Sequence, residues 1–259
     1  QDVPRESSCF LFETFSFLSR IITKGTGVIC VPTLLVDSVS TVLSKKRILE
    51  AITFELHKGE VLALVGHNGA GKSTLIKTIV GVLNKTSGNI VINGSDQDDD
   101  LLSYKQSFSY LPEEPLLLSE LTVLQHFQLY GKSYQISETS LHERIDDYVT
   151  GFELTDKLNE YPESLSKGMR QKVQTICAFL PDTPLIIIDE PFMGLDVYAI
   201  AYFEQLLKDK IVKGTSILIT SHQLDRVKNI ADRYVLLQEG KLVQSGSIDD
   251  FDTITRRTE

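Results

Sequence analysis

One stretch of eight residues carries the plainest chemistry in this chain. Gly66-His67-Asn68-Gly69-Ala70-Gly71-Lys72-Ser73 fits the pattern G-x-x-x-x-G-K-[ST]. Glycines at these spacings let a backbone wrap closely and turn several N–H groups inward, which makes a concave site for an anion. Lys72 adds a point charge suited to the β- and γ-phosphates of a nucleotide. Ser73 offers a hydroxyl to a magnesium ion, and Thr74 completes the phosphate-contacting run. Residues 61–65 before the loop are apolar, of the buried-strand type, and helical periodicity follows over 72–83. The helix would then point its positive end at the phosphates. The competing reading is a glycine-rich turn with a surface lysine, and the strand and helix on either side count against it.

Two further groups could complete a site. Leu185-Ile186-Ile187-Ile188 runs into Asp189-Glu190, an apolar strand ending in two carboxylates. An acid at such a strand end can hold magnesium, usually through water, which suits Asp189. Glu190 is then placed to orient or deprotonate an attacking water. Upstream, Ser166 and Gly168 sit where a helix could begin; a hydroxyl, a glycine N–H and a helix N-terminus together make a second anion site. By itself that second pattern is weak, because serine caps helices everywhere.

The elements that would position these groups alternate between strand and helix. Strands are expected over 34–42, 52–56, 61–65, 89–93, 108–111, 185–188 and 217–220, with a hairpin at 235–244 turning at Glu239-Gly240. Residues 94–100 read as an acidic turn, and Asp98-Asp99-Asp100 as a solvated loop rather than a metal site. Residues 120–180 look mostly helical. Apolar strands alternating with helices argue an α/β chain built on a largely parallel sheet.

Composition bounds the function. The chain has 259 residues, an apolar share of 42% and a net charge of −9, from 26 Lys+Arg against 35 Asp+Glu. That balance disfavours a general grip on nucleic acid, which depends on basic surface. Cys9, Cys30 and Cys177 are odd in number and far apart, so neither a disulfide framework nor a thiolate zinc site is expected, and a reducing cytosol is the simplest compartment. No run of about 18 apolar residues is uninterrupted. The chain begins with Gln1, which suggests a missing or altered native start.

At this point the order of motifs resembles an ABC transporter ATP-binding subunit. The phosphate loop, the Ser166-Lys167-Gly168-Met169 stretch, Ile188-Asp189-Glu190-Pro191, Gly194-Leu195-Asp196 and Ser221-His222 follow one another at the family's spacings. The likeness covers residues 34–251 and is nearest to bacterial exporter ATPases that pair with separate membrane subunits. It implies a P-loop NTPase core of RecA-like type, with a mainly parallel sheet, an antiparallel β subdomain and an inserted helical lobe over about 115–178. It also implies ATP and Mg2+ as cofactors. Two ATPase subunits would pack head to tail, as a homodimer in the simplest case, with each ATP between the phosphate loop of one and the signature of the other. Ser166 and Gly168 would then meet the partner's γ-phosphate, Asp196 would couple the two sites, and His222 would contact the γ-phosphate beside Glu190. The protein would lie at the cytoplasmic face of the cell membrane, held there by integral membrane permease subunits.

Three departures from the family pattern stand out. The signature has Lys167-Gly168-Met169 where the family has Gly-Gly-Gln, so Lys167 either adds charge near the phosphates or is solvated. The family usually places Gln shortly after the 108–111 strand; here that position is Glu113, expected as a metal-side or coupling residue. The family stacks adenine on an aromatic upstream of the phosphate loop, and the matching position here is Leu43, which has no π-face and so implies loose base selectivity.

The short interval from Glu113 to Ser166 matches the family's helical lobe, with Leu116, Leu117, Leu118 and Phe127 near the groove where a membrane subunit would dock. It leaves no room for the coiled coil of chromosome-maintenance members, and one ATPase domain does not suit translation factors. These soluble ATPases are the second reading; a regulatory module without turnover is a third, disfavoured by Asp189, Glu190 and His222. Residues 1–33 read as an extra segment. Leu11, Phe15, Leu18 and Ile22 repeat at helical spacing there, which would suit either a functionless addition or a surface helix docking on a membrane or partner. Residues 252–259 read as a tail.

Overall fold

Three strands, Val61–Val65 (β3), Leu185–Asp189 (β7) and Ser216–Thr220 (β8), are buried at every position. Such runs belong at the centre of a parallel sheet covered on both faces. The computed structural model, which describes residues 31–221 and 224–253, places them there. A six-stranded sheet has the order β10-β9-β3-β8-β7-β6, where β6 is Phe108–Leu111, β9 Arg233–Gln238 and β10 Lys241–Ser247. All its pairings are parallel except β9 with β10. A second, antiparallel sheet has the order β2-β1-β4-β5, from Leu34–Leu43 (β1), Lys46–Leu56 (β2), Ser87–Ile92 (β4) and Ser95–Asp96 (β5).

Alternation along β3 sends its side chains into two cores. Leu62 and Leu64 join Leu34, Ile52, Ile90 and the helix Lys72–Ile79 (α1), which fills the space between the two sheets. Val61, Ala63 and Val65 join the opposite core. There the sheet packs against Val123–Ser133 (α3), Glu138–Gly151 (α4), Lys167–Phe179 (α5) and Val197–Val212 (α6), through Phe127, Ile145, Val173 and Phe203. The apolar residues that sequence left unsorted separate here: Phe127 is fully buried, Leu117 packs on the core, and Leu116 and Leu118 are 71% and 50% exposed.

Several boundaries differ from expectation. Helix α1 stops at Ile79 instead of running to Leu83, because Gly81 takes a positive φ of 69° and the last carbonyls find outside donors. The Tyr104 hydroxyl donates to Ile79 O at 2.6 Å, Gln97 Nε2 to Thr78 O at 2.8 Å, and Lys105 Nζ to Val80 O. Tyr104 and Lys105 lie on a helix that the acidic turn concealed, Leu101–Gln106 (α2), whose first turn is capped by the Asp100 carboxylate. β2 starts at Lys46, well before Ile52: the register against β1 shifts along this stretch, and Ala51 has a φ of 47°, which hides the strand's alternation. A short helix, Leu224–Lys228 (α7), follows β8.

Candidate functional site

The phosphate loop leaves the end of β3 and enters α1 at Lys72. Gly71 caps that helix in the left-handed region, φ 107°, where a side chain would be strained and its Cβ would lie 3.0 Å from Leu49 Cδ2. Ala70 N donates to His67 O at 3.1 Å, and the Lys72 ammonium folds back onto Gly66 O (2.8 Å) and His67 O (3.3 Å). The loop is fixed from outside as well. Gly240 N donates to Ala70 O at 2.9 Å, and Gly240 O accepts from Glu50 N at 2.9 Å. A Cβ on Gly240 would stand 1.9 Å from Ile48 O. Sequence reading took Gly240 only as a hairpin residue; it also joins the β9–β10 turn and β2 to the phosphate loop.

Register brings the acids in. Asp189 is the Cα partner of Thr220 across β7 and β8. The Thr220 hydroxyl donates to Asp189 Oδ1 at 2.6 Å and accepts from Glu190 N at 3.1 Å. Both acids are buried, and Glu190 takes a φ of 49°, sparsely populated for a non-glycine residue. Burial lowers the Lys72 ammonium from its ordinary value, opposed by the carboxylates of Glu190, Asp189 and Glu113 in that order. Lys72 therefore feels all three acids. Ser73 and Thr74 begin α1, half-buried.

A second cluster forms where α5 and α6 begin. Ser166 caps α5 by accepting from Met169 N at 3.2 Å, and Asp196 caps α6 through Tyr198 N and Ala199 N. Gly168 lies against the loop before α6, so closely that a Cβ would stand 2.6 Å from Gly194 O. Lys172 pairs with Asp196 at 2.8 Å, and that hydrogen bond, then Ala199 N–H, holds the Asp196 carboxyl below the usual range. Sequence reading missed Lys172; its spacing from Ser166 gives no hint of a partner beyond β7. Among the described residues no hydrogen bond or ion pair joins Ser166, Gly168 or Asp196 to residues 66–74. Leu43 ends β1 at the hairpin, opposite Lys46, half-buried. His222 lies outside the described residues, as do residues 1–30.

The pattern of the ABC transporter family matches residues 49–193. The chain belongs to that family. It is 34% identical over 208 residues to the ABC-type transporter ATP-binding protein EcsA of Bacillus subtilis, covering 80% of this chain and 84% of that protein. It is 32% identical over 204 residues to the SkfA peptide export ATP-binding protein SkfE of the same organism, covering 79% and 84%. A solved ATP-binding subunit of an ABC transporter superposes with a TM-score of 0.82 at 39% identity, covering 85% of this chain and 92% of that one. The fold also matches the ATP-binding cassette MJ0796, solved as a dimer in a post-hydrolysis state with ADP and Pi, with a TM-score of 0.74 at 21% identity, covering 83% and 98%. This ABC ATP-binding subunit is thus an ATPase of the transport-coupled class, with the P-loop NTPase fold that its motifs imply.

Proposed function

We propose that this subunit drives an ABC exporter by closing head to tail with a second ATPase subunit around ATP. The observation that carries this reading is the division of the site. The phosphate loop gathers Lys72, Asp189, Glu190 and Glu113, whereas Ser166, Gly168 and Asp196 form a separate unit with a ready anion-binding helix N-terminus. Each unit suits one side of a nucleotide, and two chains antiparallel to each other would bring unlike units together.

Within one half-site, the loop N–H groups and residues Gly66 to Thr74 hold the phosphates, with Lys72 exchanging its carbonyl contacts for phosphate oxygens. Ser73 and Asp189 form an all-oxygen donor set of the kind magnesium takes. A magnesium ion held by Ser73 and Asp189 would supply charge neutralisation at the phosphates. Glu113 is assigned as a metal-side or coupling residue. Glu190 orients and deprotonates the attacking water, and Ser166 and Gly168 contact the partner's γ-phosphate; His222 keeps the γ-phosphate role that the family resemblance implies. Asp196, tied to α5 through Lys172, couples the two sites. Leu43 borders the base without stacking on it.

No described helix is long and apolar enough to cross a membrane. The spanning part belongs to integral membrane permease subunits that would seat this chain at the cytoplasmic face of the cell membrane, and the exposed Leu116 and Leu118 are the apolar surface for that contact. The likeness to SkfE, named for peptide export, supports the exporter direction. The test is purification of the tagged full chain from detergent-solubilised membranes of its native host. The expected result is stoichiometric recovery of a multi-span membrane protein, lost when Leu116 and Leu118 are both changed to Ser. Recovery with ribosomes or nucleic acid alone would favour a soluble ABC-type ATPase instead.

A further inference from the structure

Glu190 holds a backbone conformation that its surroundings must enforce, since a φ of 49° is costly for a residue with a Cβ. On the strand side its N–H meets Thr220 O at 3.2 Å and Thr220 Oγ1 at 3.1 Å. On the other side the chain turns at once, and the backbone bond across that turn, from Met193 N to Glu190 O, is long at 3.4 Å. Phe192 supplies the firmer hold there. Its ring is buried, 4% exposed, and meets Phe203 of α6 in a T-shaped contact, with centroids 5.8 Å apart and planes at 89°. The Arg226 guanidinium, from α7, lies over the same ring at 5.6 Å. Arg226 Nη1 also pairs at 3.0 Å with Oε1 of Glu204, which follows Phe203 on α6. Helix α7 is itself seated by Val227, buried in the core that holds Phe192 and Phe203. One arginine therefore joins three segments: the turn after β7, α6 and α7.

The Arg226 and Glu204 side chains are 40% and 33% exposed, so salt screens the pair and it adds little to folding. What it supplies is direction. A planar guanidinium can stack on an aromatic face while its edge meets a carboxylate; a point-like ammonium has no plane with which to do both. Glu204 thus aims Arg226 at Phe192. We infer that Arg226 is a positioning residue for Glu190: it clamps Phe192 to α6, which keeps the Glu190–Met193 turn shut and the Glu190 carboxylate at the end of β7. The inference rests on the water-activating role proposed for Glu190. Without the clamp Phe192 can tip, the turn can open, and residue 190 can relax toward an ordinary φ, which moves its carboxylate. A shift of about 1 Å in such a group is enough to cost about 100-fold in rate.

The test is single-turnover ATP hydrolysis by the full chain, made in the parent and in Glu190→Gln. Arg226→Gln should slow the parent by about ten- to hundred-fold. It should leave the residual rate of Glu190→Gln within about two-fold, because a residue that acts through Glu190 has nothing to place once that carboxylate is gone. Arg226→Lys should fall between the parent and Arg226→Gln. Glu204→Gln keeps the arginine and changes only a half-exposed carboxylate; it should slow the parent by about two- to five-fold, the scale of an exposed pair, and leave Glu190→Gln unaltered. A parent rate untouched by Arg226→Gln would overturn the inference. So would an equal fall in both backgrounds, which is what lost folding or lost dimerisation produces. Should a thermal melt show Arg226→Gln unfolded, Glu204→Gln decides by the same two criteria. Hydrolysis by Glu190→Gln as fast as by the parent would overturn the role of Glu190 itself, and the inference with it.

Discussion

The Thr220 hydroxyl donates a 2.6 Å hydrogen bond to Asp189 Oδ1 while accepting one from the backbone N–H of Glu190 at 3.1 Å. One side chain on β8 therefore aims both acids at the end of β7. Thr220→Val keeps the shape and removes these bonds. A partner behind a metal ligand, the role proposed for Asp189, typically matters by about 10–100-fold. We expect the ATPase kcat to fall within that range while nucleotide binding without magnesium is unchanged. Steady-state kinetics beside fluorescent-nucleotide titration in chelator checks this; an unaltered kcat would remove Thr220 from the account.

Gly168 tests the second cluster. A methyl there meets Gly194 O at 2.6 Å, so Gly168→Ala must push the start of α5 away from the loop that carries Asp196. Misplacement of about 1 Å can cost about 100-fold in rate. The expected outcome is a loss of ATPase activity of that order with monomer ATP binding retained. Full activity would mean that the two helix starts need not move as one unit.

Asp182 follows α5 and receives Lys210 Nζ at 3.0 Å from α6 and the Arg144 guanidinium from α4. Lys210 is buried and also donates to Pro181 O at 2.8 Å. Asp182→Ala leaves these cations short of an acceptor, and we expect a loss of about 1–3 kcal/mol, toward the lower end because Asp182 is half in water. Burial would raise the Asp182 carboxyl, but Lys210 and Arg144 outweigh it and hold the group below its ordinary 3.8. Its contribution is therefore present above that ordinary value and lost as pH falls through the lower folded one. Denaturant melts at pH 7 and at pH 3 should show the difference between parent and variant narrowing at acid pH. A constant difference would assign the effect to packing.

The layout of the candidate site is legible in the sequence where its parts are local. A buried run, a glycine loop and a helix adjoin one another in sequence, as do an apolar strand and its terminal acids. What stayed hidden depends on residues far apart. Thr220 matters because β7 and β8 pair with Asp189 opposite it; Gly240 matters because a hairpin turn lands on Ala70 and Ile48; Lys172 matters because Asp196 returns to it after β7. Helix α2 was concealed for a different reason: Asp98-Asp99-Asp100 has the composition of a turn, yet Asp100 serves as a cap. Leu116 and Phe127 could not be told apart by hydrophobicity, and only the packing of α3 separates them.

The place proposed for Leu43, beside the base, bears on base choice. Without an aromatic at that position, ATP and GTP should compete for the site with similar affinity. Displacement of a fluorescent ATP analogue by each nucleotide measures this. A strong preference for ATP would mean that another residue holds the base.

The shared site is the central claim, and the dependence of specific ATPase activity on protein concentration tests it most directly. If each ATP is completed by the signature of a second chain, activity per subunit rises with concentration and levels off as dimers saturate. A constant specific activity, from a preparation shown to be monomeric throughout the assay, would contradict it.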